Sequence, residues 1–357
     1  MRAMPSRIYR VSGRAMSTTA NTTNPAPRYS GIPTFFRAPL VDMHQCTPEE
    51  LGAVDVGIMG VPFDDGATNA PGARFGPRGV RTSSVNNVRR YNQATDAAPF
   101  DLGLAIADLG DAHVSRPFEL VGAHKEIEAH MSKVLDAGIT PLSVGGDHSV
   151  SLPLLRALAK QRAGLPPPGL LHIDAHCDTG DDYGGSRFHH GAPFKIAVDE
   201  GLIDPLKTLQ IGIRGSLAFP EVWAFSSASG MRVLCIDECF ELGPRGVLDE
   251  VGRVMGGGSE CYVSFDIDAL DPAYAPGTGT PEVGGLSTHF AQQLVRGFGT
   301  GGLELDILGA DLVEVSPPFD HAELTSLAGA NILFELLCVT TQASARRARG
   351  AFRAGSS

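Results

Sequence analysis

Seven short stretches carry apolar residues in unbroken runs rather than in alternation: residues 54–61, 139–144, 169–173, 209–213, 233–236, 262–267 and 307–315. Runs of this length read as strands buried on both faces, the habit of parallel sheets. Between them, apolar positions recur at helical spacing over residues 119–137, 149–161, 288–296 and 324–340, the first closed by Gly138. Strand and helix alternate through the body of the chain. The pattern therefore predicts one doubly wound α/β domain, with helices on both faces of a mostly parallel sheet. It shows no internal repeat and no apolar run expected to span a bilayer.

Composition narrows the class. The 357 residues are 43% hydrophobic and 19% charged, which suits a folded enzyme and not a disordered chain. A net charge of -11 argues against a nucleic-acid surface and favours cationic small molecules and metal ions. The six cysteines, Cys46, Cys177, Cys235, Cys239, Cys261 and Cys338, lack the spacing of a disulfide framework, so a reducing compartment is expected. Residues 1–40 hold six arginines and no acidic residue, the composition of an organellar transit segment. An alternative start at Met16 and a disordered tail over residues 1–27 explain the same stretch. The expected organisation is a tail over 1–27, a domain over 28–345 and a C-terminal tail over 346–357, in a cytoplasmic protein or an organellar one if the first segment is a leader.

In a parallel sheet, ligands bind beyond the carboxyl ends of the strands. The chemically suggestive clusters fall there. Gly145-Gly146-Asp147-His148-Ser149 follows one run, Asp174-Ala175-His176-Cys177-Asp178 the next, and Asp266-Ile267-Asp268 closes a third. On an extended backbone, period-two spacing puts Asp174, His176 and Asp178 on one face and turns Cys177 away. A strand-end turn with a capping aspartate explains any one cluster alone. Three clusters in order are harder to explain so, because four buried carboxylates converging without cations would repel and be forced to protonate. Two divalent ions would neutralise them. Mixed carboxylate and imidazole donors suit Mn²⁺, with Ni²⁺, Co²⁺ or Zn²⁺ as alternatives. Such a pair activates a shared water for hydrolysis.

These segments, with Ser264-Phe265-Asp266-Ile267-Asp268-Ala269-Leu270-Asp271-Pro272, resemble the three signatures of the arginase/agmatinase (ureohydrolase) family. Residues 71–77 (PGARFGP), 275–282 (APGTGTPE) and 311–320 (DLVEVSPPFD) extend the likeness, which covers roughly residues 28–340 and lies nearer the agmatinase and guanidino-acid hydrolase branch. Cys177 stands where that branch often has Thr, Ser or Ala. The resemblance implies a three-layer α/β/α fold, a homotrimer or homohexamer, and hydrolysis of a small guanidino compound to urea and an amine. It implies that His148, Asp174, Asp178 and Asp266 hold one ion and His176, Asp174, Asp266 and Asp268 the other, with Asp174 and Asp266 bridging. By the same match His190 is the proton shuttle and Glu314 holds the guanidinium.

The substrate's tail is expected to meet the loops over residues 180–189 and 63–75. Asp181 and Asp182 could meet an amine, Arg187 a carboxylate, and Tyr183 or His189 either; each is also an ordinary loop residue. Residues 91–100 resemble the guanidino-acid hydrolases, while guanidine, substituted guanidines and biguanides need no charged tail partner. Two other classes stay open: a subunit of a hetero-oligomer that needs a partner chain, and a metal-dependent amide hydrolase on the same fold. A membrane partner is not expected.

Overall fold

The structure, a computed structural model, describes residues 27–217 and 221–355. The described residues from 33 onward form one compact unit, and residues 27–32, in a separate one, include a turn closed by Ser30 N–H on the Pro27 carbonyl. The expected tail over residues 1–27 lies almost wholly outside the described residues.

Among the described residues, eight strands form one sheet. They are β1 (Val56–Val61), β2 (Ile106–Asp111), β3 (Thr140–Gly145), β4 (Gly169–Ile173), β5 (Thr208–Ile213), β6 (Arg232–Cys235), β7 (Glu260–Asp266) and β8 (Asp306–Val313). Their order is β2-β1-β3-β8-β7-β4-β5-β6, with every pairing parallel. The helices are α1 (Pro48–Leu51), α2 (Gly76–Asn87), α3 (Leu120–Asp136), α4 (Ser151–Gln161), α5 (Pro193–Asp199), α6 (Glu221–Ala228), α7 (Ile236–Met255), α8 (Thr288–Gly297) and α9 (Leu324–Gly355).

The fold is the expected three-layer α/β/α sandwich. One apolar layer joins Val80, Val247, Leu294 and Leu336 of α2, α7, α8 and α9 to one face of the sheet; the other joins Ile127, Leu154 and Phe194 of α3, α4 and α5 to the opposite face. β1, β4 and β5 are buried along their length, which is why the sequence shows runs instead of alternation there. A buried leucine such as Leu336 or Leu337 contributes about 1.5–3 kcal/mol by leaving water.

Three expectations change. Helix α9 does have the length and apolarity to cross a bilayer, but 83% of that window is buried inside the molecule, so it serves as the core helix of its layer. Residues 346–355, expected in the C-terminal tail, continue α9, because Arg346 donates to the Leu305 carbonyl at 2.8 Å and Arg347 pairs with Asp306. Ile236, expected to end a strand, begins α7.

The strands β3, β8, β7 and β4 lie side by side in the middle of the sheet, and all run the same way. Their carboxyl ends deliver residues 145–148, 314, 266–268 and 174–178 to one rim. At that rim the backbones nearly touch: a Cβ on Gly146 would lie 1.6 Å from the Phe63 carbonyl oxygen, so only glycine fits.

Candidate metal centre

Asp174, His176 and Asp178 do not sit on extended backbone as expected. β4 stops at Ile173, the chain bends over 174–176, and Asp178 takes a left-handed conformation with φ 49°. The bend, not a strand repeat, aims these side chains inward. Cys177 is turned away and buried, its carbonyl accepting from Gln210 Nε2 at 2.6 Å, and burial pushes its thiol up to about 12. Glu314 is likewise left-handed, at φ 62°. Such backbone costs on the order of 1 kcal/mol or more per residue for a side chain other than glycine and gathers at functional sites.

His148 Nδ1 is the centre of the first cluster. It lies 3.1 Å from Asp174 Oδ2, 2.9 Å from Asp178 Oδ2 and 3.0 Å from Asp266 Oδ2, all buried, yet it makes no hydrogen bond of acceptable angle. Three carboxylate oxygens thus crowd one imidazole nitrogen. His176 Nδ1 is the centre of the second, 3.4 Å from Asp174 Oδ1 and 3.1 Å from Asp268 Oδ2. Asp174 therefore turns one oxygen to each cluster. Asp266 directs Oδ2 to the first cluster, while its Oδ1 accepts from Asp268 N–H at 2.8 Å.

The electrostatics ask for positive charge. Burial opposes ionisation of Asp266, and the carboxylates of Asp268 and Asp174 add to it, so its acid lies well above the ordinary range. Burial and the Asp174 carboxylate, against His176, lift Asp268 to about 6. Burial also opposes protonation of His148 and His176, but their carboxylate neighbours overcome it and raise both imidazoles well above the usual range. Asp174 moves the other way: despite burial, His172, His148 and His176 hold it well below the carboxylate range. The donor set, carboxylate oxygens and imidazole nitrogens in two adjoining groups, fits a pair of divalent cations, whose charge would take the place of those protons.

Several residues of the centre were given no role from the sequence. His172, buried within β4, lies in the compact first group, but its Nε2 is 2.6 Å from Asp174 Oδ2. That gap leaves no room for an ion between the two atoms, so His172 is a hydrogen-bond donor that fixes Asp174 and not a ligand beside it. Gln210 Nε2, 3.1 Å from His172 Nδ1, fixes the tautomer in turn. Asp311, fully buried in β8, accepts from Ser151, Tyr262 and Ser264. Asp147 accepts from Ser149 and from Gly66 N–H at 2.7 Å, and burial with the Glu314 carboxylate nearby pushes it up to about 7.

Beside the first cluster, Glu314 Oε1 accepts from His148 N–H at 2.9 Å and from His190 Nδ1 at 2.8 Å. Burial opposes the His190 imidazolium, but Glu314, Asp147 and Asp178 raise it to about 9. The pair joins an anionic acceptor to a proton-carrying imidazole at the edge of a cation site, the parts needed to hold a guanidinium and protonate a leaving nitrogen.

The expected tail contacts are less gathered. Arg187 donates to Asp199 at 2.6 Å, with Asp181 at 3.8 Å. His189 bonds the Asp181 carbonyl through Nε2 at 2.7 Å and takes Gly191 N–H on Nδ1, so both ring nitrogens are committed to its own loop. Tyr183 is exposed and packs near the His189 ring.

Comparisons with known proteins agree with this geometry. The model of the arginase family matches residues 54–338. Guanidinopropionase of Pseudomonas aeruginosa is 49% identical over 90% of this chain and 96% of its own length. The mitochondrial agmatinase of Gallus gallus is 46% identical over 80% of this chain and 81% of its own. The solved structure of proclavaminate amidino hydrolase from Streptomyces clavuligerus superposes with a TM-score of 0.80 at 39% identity, covering 89% of this chain and all of that one.

Proposed function

The chain belongs to the arginase family, in its agmatinase and guanidino-acid hydrolase branch, and on that premise we propose that its substrate is a short guanidino acid. The protein is a hydrolase of guanidino compounds, releasing urea and an amine. The observation that carries the substrate class is the state of the loop over residues 180–189. Asp181 is shared by Lys195 at 3.5 Å and Arg187 at 3.8 Å, and Asp182 caps Gly185 N–H at 2.9 Å. Both carboxylates that could meet the amine of agmatine are thus engaged, and Arg187, although paired with Asp199 at 2.6 Å, keeps further N–H groups on a half-exposed guanidinium that a substrate carboxylate can take. The name of the guanidinopropionase relative points the same way.

His148, Asp174, Asp178 and Asp266 hold one ion in this reading, and His176, Asp174 and Asp268, with Asp266 beside them, the other. We take Mn²⁺ as the metal on its preference for mixed oxygen and nitrogen donors, with Ni²⁺ the alternative. When bound, such a pair lowers the pKa of a shared water, so that a nucleophile is present near neutral pH. Glu314 binds the guanidinium through its carboxylate and sets the carbon against the nucleophile. His190, held on Glu314, gives the leaving nitrogen its proton, and the amine departs neutral. His172 and Gln210 keep Asp174 aligned. The chain acts as a homotrimer or homohexamer in the cytoplasm by the same reading, and light scattering tests the assembly.

The experiment is a ranking of kcat/KM for 3-guanidinopropionate, 4-guanidinobutyrate, agmatine, arginine and guanidine with Mn²⁺ and Ni²⁺ loaded separately. A guanidino acid at the head of the ranking supports the proposal; agmatine or guanidine at the head overturns the substrate class. Glu314→Gln is expected to cut turnover at least about a hundredfold with metal content unchanged.

A further inference from the structure

His190 has partners on both ring nitrogens. Nδ1 donates to Glu314 Oε1 at 2.8 Å. At the other edge, Nε2 lies 3.1 Å from Thr68 N and 2.8 Å from Thr68 Oγ1. A backbone N–H can only donate, so it suits Nε2 only while that nitrogen carries a lone pair. Once Nε2 is protonated, the amide has nothing to offer it. The hydroxyl can do both, donating to the neutral ring and accepting from the cationic one.

The loop bearing Thr68 is tied down at Gly66, once to the same histidine and once to Asp147. Gly66 accepts from His190 N–H at 2.9 Å through its carbonyl, and its own N–H is held by the buried Asp147 at 2.7 Å. The threonine hydroxyl is therefore delivered to Nε2 by a braced backbone. The charged groups facing the ring are Glu314 from the end of β8, Asp147 from the end of β3 and Asp178 beyond β4.

We propose that Thr68 is the positioning residue of the proton shuttle: its hydroxyl reverses its hydrogen bond as His190 Nε2 gains and loses a proton, and so keeps the ring oriented in both states. The inference rests on the role given to His190 above. The proton that Nε2 takes up is the one later handed to the leaving nitrogen, and Thr68 itself gains and loses none.

Thr68→Val keeps the side-chain shape and the backbone N–H but removes the reversible partner; Thr68→Ser keeps the hydroxyl. With 3-guanidinopropionate or the best substrate of the ranking, Thr68→Val is expected to lower kcat about tenfold to hundredfold, the weight of a hydrogen bond to a charged group, with KM little changed. The imidazolium loses its acceptor, so the limb on which activity falls as pH rises should move to lower pH. Thr68→Ser should restore most of kcat and the limb. Metal content and melting temperature, read on each variant, separate a folding defect from this effect. A Thr68→Val enzyme with the parent's kcat and pH profile overturns the inference, as does equal impairment of the Val and Ser variants, which marks a purely steric role. His190→Asn is measured alongside. If it turns over normally, the shuttle reading itself fails and the inference with it; if it is crippled while Thr68→Val is not, only the inference on Thr68 fails.

Discussion

Ser264 Oγ takes the hydrogen bond of His148 Nε2 at 2.8 Å, and this contact decides which ring nitrogen faces the carboxylates. The serine's own proton goes to Asp311 Oδ1 at 2.6 Å, because an ionised carboxylate can only accept. The oxygen is left to accept from Nε2–H, so in the neutral ring the lone pair of His148 sits on Nδ1, facing Asp174, Asp178 and Asp266.

Ser264→Ala should therefore weaken binding of one ion about tenfold to a hundredfold without removing any ligand. A competitive titration with a metallochromic chelator reads it. Unchanged affinity at both ions would remove the orienting role.

Asp174 turns one oxygen to each cluster, whereas Asp178 faces only the first. Asp174→Asn should strip both ions and lower turnover on the order of a thousandfold, while Asp178→Asn should spare the ion beside His176. Metal per chain, measured by elemental analysis, distinguishes the two; equal loss in both variants contradicts the division into two groups.

Metal binding should release protons and tighten as pH rises. In the metal-free centre the imidazoles of His148 and His176 and the acid of Asp266 hold protons well above their ordinary ranges, and Asp268 titrates at about 6. Ions must displace them, so affinity drops about tenfold for each unit by which pH is lowered, for each proton exchanged. Calorimetry in two buffers of different ionisation heat counts these protons, and a count of zero would contradict the account.

Legibility differed by element. β3, β4, β5 and β7 were readable because burial on both faces leaves unbroken apolar runs. β2 was not, because Asp108, fully buried, interrupts its run and is held by Arg81 and Phe35 N–H, contacts that no local pattern reveals. α7 was hidden by Gly243 and Pro244 inside it, where Gly243 at φ 65° kinks the helix, and α2 by its few apolar positions. At the centre, the histidines and aspartates of the three clusters and their order were plain. The bend at Asp178 and the partners Ser264, Asp311 and Thr68 were not, since they act through tertiary contacts between distant segments. His172 alone left a trace, a histidine in an apolar run two residues before Asp174.

Acid should destabilise the fold through two buried histidines that are not among the proposed ligands. Burial lowers His124 and His130 to about 4, with Arg156 adding to the first and His44 and Lys133 to the second. Their unfolded value is about 6.5. Between these values the unfolded chain binds more protons, so the stability they contribute is complete above about pH 6.5 and is lost as pH falls through about 4, on the order of 2–3 kcal/mol for each. His130→Gln should flatten that loss in urea melts of the metal-free protein at stepped pH. A slope equal to the parent's would show that another group titrates there.

The central claim is most directly tested by following urea and metal on one sample: purified protein stripped with chelator, then titrated with Mn²⁺ while urea release from 3-guanidinopropionate and 4-guanidinobutyrate is measured. The stripped protein should release no urea, and activity should rise to a plateau at two ions per chain. Urea production that persists without metal, or none from either substrate or from any guanidino compound with two ions bound, would contradict that claim.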